Sequence, residues 1–323
     1  MSSFGQVYML KTQTMTKIGE NTENPIVKAD IFFSSLDTLA QLYTSPPKKA
    51  ENPFKKRAIA KYKTVELILP LIDLDDTLTK QYWSTFHCCS VLLQDGNKIT
   101  GKYCNNRWCI VCNRIRTAKL INGYLPAINE NIKKPYFVTL TIPNIPEHEL
   151  KPAIIEMIKT IRRVTDLFRN RREFRLKGIR KIECTYNSRR NDFHPHLHLL
   201  IDGEKESRQL IDYWLKSYPD ANIEAQDMRP ANKDSLIELF KYSTKLIAKT
   251  KTEVKALNGV FKALRKKRVF QPIGLKKIDV SEDIDTIQAQ EIDDLKSAVD
   301  TWVWEHEVKD WINTYGELLT TYQ

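Results

Sequence analysis

The chain has 323 residues, 41% of them hydrophobic and 10% aromatic, which is enough to build the core of one large or two modest domains. Its net charge of +11 is uneven, because residues 276–323 hold 4 Lys and Arg against 12 Asp and Glu, which leaves +19 on the preceding residues. Such a basic body indicates a polyanionic partner, most often nucleic acid. No apolar run approaches the roughly 20 residues that cross a bilayer, and the N-terminus has no signal-peptide pattern. We therefore expect a cytoplasmic protein without a membrane partner.

The first third of the chain divides into two predicted parts. Residues 1–78 form an N-terminal region to which we assign no role, with a polar, Pro-rich linker at residues 45–57. Residues 79–122 contain five of the six cysteines, and such clustering in a cytosolic chain indicates metal rather than disulfides. Four ligands of a structural Zn²⁺ are available there, the alternative being buried reduced thiols. The candidates are Cys104, Cys109, Cys112 and one upstream residue, which is Cys88, Cys89 or His87.

Residues 96–102 imitate a phosphate-binding loop within this cysteine module. They fit the pattern of two glycines with four residues between them followed by Lys102, but Tyr103 stands where such a loop needs Ser or Thr. A helix should follow, and cysteines follow instead. We predict a hairpin turn here and no nucleotide cofactor.

Residues 123–275 alternate strand-like and helix-like patterns. Strands are predicted at residues 136–143, 178–186 and 193–201, with an amphipathic helix around residues 154–168 and further helices from residue 207 and over residues 233–249. This order predicts an α+β fold, a central antiparallel sheet with helices packed on one side. Residues 276–323 form a separate acidic segment, predicted to be helical around residues 298–319. Cys184 is interpreted as a core residue.

The predicted strand at residues 193–201 carries three of the six histidines. His194, His196 and His198 alternate along it and so project from one face, with leucines and an isoleucine on the other. If the preceding turn is centred between residues 189 and 190, Glu183 lies opposite His196. A carboxylate and imidazoles suit a divalent ion such as Mg²⁺ or Mn²⁺ acting on a phosphate. The plainer alternatives are a polar strand face and adventitious metal binding.

The predicted helix at residues 233–249 places Glu238 and Tyr242 side by side, because they are separated by one turn. Lys245 and Lys249 share that face. A tyrosine hydroxyl beside a carboxylate and lysines can attack phosphorus. Taken alone, the helix is also compatible with an ordinary surface tyrosine.

Three segments, in order, resemble the motifs of the HUH endonucleases, and most of all the initiators of small rolling-circle plasmids. The segments are Phe-Val-Thr-Leu-Thr-Ile-Pro-Asn at residues 137–144, Glu183 with His-Pro-His-Leu-His-Leu-Leu from residue 194, and Glu238 with Tyr242. Together with the cysteines, the resemblance covers about residues 85–250. It implies a ferredoxin-like HUH catalytic domain and favours Cys88 as the upstream zinc ligand.

The resemblance also implies a mechanism. Tyr242 would cut one DNA strand, leaving a 5′-phosphotyrosine link and a free 3′-OH, while Glu238 serves as a general base at closing steps and Lys245 neutralises phosphate charge. His196, His198 and Glu183 would hold the catalytic ion, and His194 would be a further ligand or would orient one. The partners would be single-stranded or hairpin origin DNA and the host helicase and polymerase. Six basic residues are the candidate DNA contacts: Arg162, Arg163, Arg169, Arg171, Lys241 and Lys249.

Three other functions compete with this one. A related transposase or relaxase is disfavoured, because many HUH transposases carry two tyrosines a turn apart, and Glu238 and Leu246 stand a turn either side of Tyr242. A zinc-dependent DNA-binding repressor leaves the histidine strand without a role. A hydrolase of small phosphoesters has no need of so basic a body.

Overall fold

The computed structural model describes residues 53–74, 76–95, 98–170, 175–240, 250–275 and 300–321. Within these ranges the chain forms seven α-helices and nine strands. The helices are α1 (Pro53–Ile72), α2 (Thr79–Phe86), α3 (Ile110–Asn131), α4 (Glu147–Asn170), α5 (Glu204–Ser217), α6 (Lys233–Phe240) and α7 (Lys251–Leu264). The strands are β1 (Val91–Asp95), β2 (Lys98–Gly101), β3 (Pro135–Thr141), β4 (Gly178–Asn187), β5 (Asp192–Asp202), β6 (Asp227–Pro230), β7 (Phe270–Ile273), β8 (Asp300–Glu305) and β9 (Asp310–Ile312). None of the described helices has the length and apolarity to cross a membrane.

The larger sheet has five strands in the order β6-β3-β5-β4-β7, and each neighbouring pair is antiparallel. The predicted α+β class with antiparallel strands is confirmed. β5 lies in the middle and is buried along most of its length, which explains its apolar composition. Leu197, Leu199 and Ile201 are fully buried in the main core together with residues of α4 and α5.

Helices pack against both faces of this sheet. α4 and α5 pack against β5, and α5 also contacts β3, where Trp214 Nε1 donates to the carbonyl of Thr141 at 2.8 Å. α6 lies over the face of β5 that carries the histidines, since its Glu238 reaches His198. The prediction that helices pack on one side only is therefore wrong, because α6 returns across the polar face of the sheet.

The smaller sheet joins the cysteine module to the C-terminal part of the chain, in the order β2-β1-β8-β9. β1 and β2 form the hairpin predicted from residues 96–102, of which residues 96 and 97 lie outside the described ranges. The helix predicted around residues 298–319 is wrong for residues 300–321, which form β8 and β9. The Thr-Trp-Val-Trp run of β8 is rich in residues that favour strands. Within β8, Trp302 is buried and the next residue, Val303, is exposed. β8 pairs with the edge of β1 that β2 leaves unpaired.

The N-terminal helices belong to the folded body. Residues 53–57, predicted as the end of the linker, form the first turns of α1, where proline is well tolerated. α1 contacts α2, α3 and α7, and a small core unites Leu71, Tyr82 and Phe261. A polar network crosses the same interface, because Tyr82 Oη donates to Asn258 Oδ1 at 2.6 Å and Asn258 Nδ2 donates to Asp76 Oδ2 at 2.8 Å.

Candidate metal centre

The register of the large sheet collects the polar residues of three strands on one face. Glu183 of β4 pairs with His196 of β5, the cross-strand partnership expected from the turn position. Thr139 of β3 pairs with His198. Directly paired residues project from the same face of an antiparallel sheet, so side chains from β3, β4 and β5 converge at one place.

Glu183, His196 and His198 form the histidine centre, whose ligand atoms all lie within 4.8 Å of one another. Glu183 Oε2 is 3.5 Å from Nε2 of each histidine. The other ring nitrogen of each histidine, Nδ1, has a hydrogen-bond partner. His196 Nδ1 lies 3.0 Å from the carbonyl oxygen of His194, and His198 Nδ1 lies 3.2 Å from Thr139 Oγ1. Each Nε2 therefore faces the carboxylate of Glu183, where it can donate a proton to that oxygen or present a lone pair to a cation.

This donor set fits a divalent cation. Two imidazole lone pairs and a carboxylate oxygen converge in a largely buried site, and such groups repel one another unless protons or a cation lie between them. Two nitrogens and one oxygen suit a transition ion such as Mn²⁺, and tolerate Mg²⁺ less readily. The outer hydrogen bonds fix the ring orientations, as is usual for histidine ligands. Phe137 stacks on the His198 ring at 5.3 Å and limits its rotation further.

Lys181 supplies a buried positive charge beside this centre. Its side chain is 2% exposed, and Nζ lies 2.5 Å from Glu183 Oε1 and donates to the carbonyl of Glu238 at 2.8 Å. Burial by itself would raise the pKa of Glu183, but His196, His198 and Lys181 more than offset it and hold that pKa well below its usual range. Glu183 is therefore an anion at neutral pH, as a metal ligand must be.

Glu238 lies at the edge of the histidine centre, where α6 passes over β5. Its Oε1 is 3.4 Å from His198 Nε2, and its Oε2 is 3.6 Å from a terminal nitrogen of Arg229. Arg229 also pairs with Asp227 of the same strand and lies over the Phe137 ring at 4.9 Å. The carboxylate of Glu238 is thus held between an imidazole and a guanidinium while remaining 45% exposed.

His194 lies beside the three ligands and is not one of the closely spaced group. Its ring stacks on that of His196 at 5.3 Å, and its Nδ1 is 2.9 Å from Asn144 Oδ1. Asn144 Nδ2 in turn donates to Asp192 Oδ1 at 2.6 Å. Burial, followed by the charges of His196 and Arg190, lowers the pKa of His194. The neutral ring therefore has its orientation fixed through Asn144.

A groove of about 880 Å³ contains the histidine centre. Its lining includes the carboxylates of Glu238 and Asp227 and the apolar side chains of Leu257, Val260 and Phe261 of α7. Arg107 and Trp108 of the cysteine module also reach it. A groove of this size, lined by both polar and apolar side chains, is large enough for part of an unpaired nucleic-acid strand.

Several predicted site residues lie outside the described ranges or away from the groove. Tyr242, Lys245, Lys241, Lys249 and Arg171 fall in residues 171–174 and 241–249, which the structure does not describe. The remaining arginines, Arg162, Arg163 and Arg169, are exposed on α4 and pair with acids of the same helix. None of these three lines the groove.

The second metal candidate is the cysteine centre, formed by Cys88, Cys104, Cys109 and Cys112 with all sulfur atoms within 4.8 Å. Cys112 Sγ lies 3.6 Å from Cys88 Sγ and 3.7 Å from Cys104 Sγ. Of the three upstream alternatives, only Cys88 belongs to this group. Cys89 is buried in the adjacent core with its carbonyl bonded to Trp311 Nε1 at 2.8 Å. His87 stacks against Trp83 instead.

Four thiols at this spacing fit structural Zn²⁺. Hydrogen bonds from Cys109, Cys112 and Cys88 lower the pKa of Cys104, whereas burial raises that of Cys109. One thiolate is thus tolerated without an ion, whereas several thiolates together need a cation. Four sulfur ligands at this spacing favour Zn²⁺ as that cation. Cys184 lies apart, and burial raises its pKa to about 12, consistent with a packed, unreactive thiol.

Lys61 of α1 approaches the cysteine centre from the N-terminal region. It is fully buried, and its Nζ donates to the carbonyl of Phe86 at 2.6 Å and to Ser90 Oγ at 2.9 Å. Burial lowers its pKa, while electrostatic interactions with Cys89 and Cys88 act in the opposite direction. A buried cation at this place compensates negative charge on the sulfurs.

Sequence reasoning did not find Lys181, Thr139 or Arg229. For Lys181 a signal was available, because it lies two residues before Glu183 on a strand and so shares its face. Thr139 belongs to a strand that was predicted, and its role required the β3–β5 register. Arg229 lies on a four-residue edge strand that sequence patterns did not reveal.

Comparison with known proteins identifies relatives. Residues 97–315 match the family of replication proteins. A protein named Protein rep from Staphylococcus aureus is 33% identical over 171 residues, which cover 46% of this chain and 74% of the relative. Another Protein rep, from Streptococcus pneumoniae, is 26% identical over 199 residues, covering 54% and 61%. A Replication protein from Staphylococcus aureus is 26% identical over 208 residues, covering 53% and 87%. No solved structure matches the chain significantly.

Proposed function

The chain belongs to the replication protein family, and from that membership we propose that it initiates rolling-circle replication of a plasmid by cutting one strand of origin DNA. The cut is made by Tyr242, and the catalytic domain has the HUH fold. The observation that carries the proposal is the histidine centre, because Glu183, His196 and His198 converge beside Glu238, four positions before Tyr242 in the chain.

The proposed reaction is a transesterification. The hydroxyl oxygen of Tyr242 forms a bond to phosphorus, the bond from phosphorus to the 3′ oxygen breaks, and the strand is left with a 5′-phosphotyrosine link and a free 3′-OH. The tyrosine proton leaves to a base or to water, and the departing oxygen gains a proton. Glu183, His196 and His198 would hold a divalent ion, which would supply Lewis-acid polarisation of the scissile phosphate.

The protein's own residues set up this geometry. Thr139 and the carbonyl of His194 hold the two imidazoles in the tautomer that presents Nε2 to the groove. Lys181 keeps Glu183 ionised. Glu238 accepts a proton when the phosphotyrosine link is resolved, and its position 3.4 Å from His198 keeps it within reach of the same phosphate. Lys245 offsets phosphate charge.

The remaining assignments follow from the same proposal. The cysteine centre holds Zn²⁺ and stabilises the module that bears Arg107 and Trp108. The DNA substrate is single-stranded or extruded as a hairpin, because one phosphate must reach the floor of the groove. The free 3′-OH is a primer for the host polymerase, and a host helicase separates the strands. No second tyrosine lies one turn from Tyr242, which favours an initiator over a transposase with two tyrosines.

The test is covalent capture of DNA. The protein is incubated with labelled single strands tiling its own replicon's origin, with Mn²⁺ or Mg²⁺, and run on a denaturing gel. We expect a protein–DNA adduct that requires the divalent ion and disappears in Tyr242→Phe and His198→Ala, while Tyr315→Phe, a substitution at an 80% exposed tyrosine, leaves it intact.

Three other results would replace the proposal. Ion-independent DNA binding without an adduct would indicate a zinc-dependent DNA-binding protein, with the histidine centre in a structural role. Adduct formation that persists in Tyr242→Phe would assign the nucleophile to another residue. A phosphoester hydrolase would turn over small substrates equally well after the Tyr242→Phe substitution.

A further inference from the structure

The hairpin formed by β4 and β5 extends beyond the rest of the large sheet. β4 and β5 pair as far as Asn187 and Asp192, whereas β3 stops pairing at Thr141, opposite His196, and β7 stops at Phe270, opposite Lys181. The outer end of the hairpin therefore projects past the histidine centre. Its last rung is four residues from Glu183, which is about 13 Å at the usual rise of a strand.

The projecting end is braced rather than loose. Ile145 and Phe193 exchange two backbone hydrogen bonds of 2.9 Å and 2.8 Å, and Asn144 donates to Asp192 from the same side. Within the turn, Asn187 Oδ1 accepts from the backbone N–H of Arg189 at 3.1 Å. Tyr186 Oη donates to Asn191 Oδ1 at 2.6 Å. These hydrogen bonds brace the turn without any contribution from a ligand.

This braced turn presents two arginines to solvent. Arg189 and Arg190 are both exposed, and Arg190 Nε pairs with Asp192 Oδ2 at 3.1 Å while its side chain remains 62% exposed. In the described part of the chain, Arg189 has no carboxylate partner. Asp192 is already bonded by Asn144 and Arg190, so the two arginines leave a net positive charge at the tip.

A cavity of about 630 Å³ runs along the hairpin and continues the central groove. It is lined by Asn144, Ser188, Arg189 and Arg190, together with Thr185, Tyr186 and His194. Thr185, Tyr186, Ser188 and His194 also line the central groove. A strand placed with one phosphate at the histidine centre therefore has a continuous path past His194 to the two arginines. The lining of amides, hydroxyls and guanidinium groups suits phosphate and sugar oxygens.

We propose that the β4–β5 hairpin tip, through Arg189 and Arg190, grips the DNA backbone a few nucleotides to one side of the scissile phosphate. This inference rests on the proposed function, since it takes the same DNA strand as its ligand. The grip would fix the register of the strand in the groove without reading its bases, because phosphate contacts position a nucleic acid and carry no sequence information.

The experiment measures the salt dependence of DNA binding. A fluorescent single-stranded oligonucleotide is titrated at several salt concentrations with the Tyr242→Phe protein and with the same protein carrying Arg189→Gln and Arg190→Gln. Each lost single-strand phosphate contact lowers the slope of log K against log salt by about 0.7, so we expect a decrease of about 1.4. At roughly 0.1 M salt this corresponds to binding about 25-fold weaker.

Two matched variants distinguish a specific contact at the hairpin tip from a general effect of the protein's net charge. Lys151→Gln with Lys216→Gln removes the same charge from exposed positions on α4 and α5 that line neither the groove nor the hairpin cavity, and should leave the slope unchanged. Arg189→Lys with Arg190→Lys keeps both charges and should retain most of the salt dependence of the parent protein. Equal slopes in the parent protein and the hairpin Gln variant would overturn the inference, including the case in which the hairpin contacts a protein partner instead. If the hairpin effect persists while no strand is ever cut, the proposed nicking function fails and the DNA grip stands.

Discussion

Replacing Lys181 by Met tests the electrostatic design of the histidine centre. The substitution preserves most of the length of the side chain and removes its charge from a position that is 2% exposed. It deletes the contact of 2.5 Å to Glu183 and the hydrogen bond of 2.8 Å to the carbonyl of Glu238. The first contact supports a metal ligand, and the second ties α6 to the sheet, so one change perturbs both.

Removing one partner of a buried ion pair costs about 3–5 kcal/mol, because the other charge stays buried without compensation. Glu183 retains His196 and His198 as alternative partners, so we expect the lower end, about 3 kcal/mol of unfolding free energy, when no divalent ion is added. Saturating Mn²⁺ should reduce the loss to roughly 1 kcal/mol, because a cation at the carboxylate then replaces the ammonium and only a hydrogen bond is missing.

The pH dependence has a definite sign. The pKa of Glu183 is depressed in the folded protein, so its contribution to stability is present above the unfolded value near 4.3 and is lost as the pH falls below it. Without Lys181 the folded pKa rises toward the unfolded one. The acid side of the stability profile should therefore flatten in the variant, since less stability remains to be lost.

Urea denaturation followed by circular dichroism measures these changes, with Lys80→Met at a position on the surface of α2 as the control. The decisive comparison is a double-mutant cycle with Glu183→Gln. If the two side chains form a pair, the double variant loses clearly less stability than the sum of the single variants. Effects that add within about 0.5 kcal/mol would refute the pairing.

The remaining predictions concern the surroundings of the site. Cys88→Ser should lose bound zinc in a metal-release assay, while Cys89→Ser, equally buried but outside the cysteine centre, should retain it. Tyr82→Phe should cost about 1–3 kcal/mol in denaturation experiments, because the buried Asn258 Oδ1 loses its donor; an unchanged midpoint would mean that water replaces the hydroxyl. Gly274→Ala should cost about 2–4 kcal/mol, since φ is +59° and the added Cβ would lie 2.1 Å from the carbonyl oxygen of Leu176; a smaller loss would show that the turn relaxes.

The histidine centre could be predicted because its determinants are local. Alternation along β5 placed the three imidazoles on one face, and a turn of ordinary length placed Glu183 opposite His196. Both inferences need only the two-residue period of a strand and the position of one turn. The separation of His194 from the other two was not available from this pattern, because it depends on Asn144, a residue of a different segment.

The parts that sequence could not provide depend on long-range pairing. β8 joins β1 across more than two hundred residues, and its period was ambiguous until that partner was known. Arg229 reaches Glu238 only because β6 pairs with the outer edge of β3. Local propensity is a weak guide in such cases, since strand formation depends on which neighbours complete the sheet.

The cysteine centre and the histidine centre are mechanically connected through the loop between Cys104 and Cys109. Trp108 of this loop packs on Phe261 of α7 at 5.0 Å, and its Nε1 donates to Thr85 Oγ1 at 2.9 Å. Arg107 donates to the carbonyl of Lys267, at the entrance to β7. Both residues line the central groove. An ion bound by the sulfurs of Cys104 and Cys109 would hold both ends of this loop and so restrict the backbone between them. The position of one groove wall relative to Glu183, His196 and His198 therefore depends on sulfur ligands that never touch the groove itself.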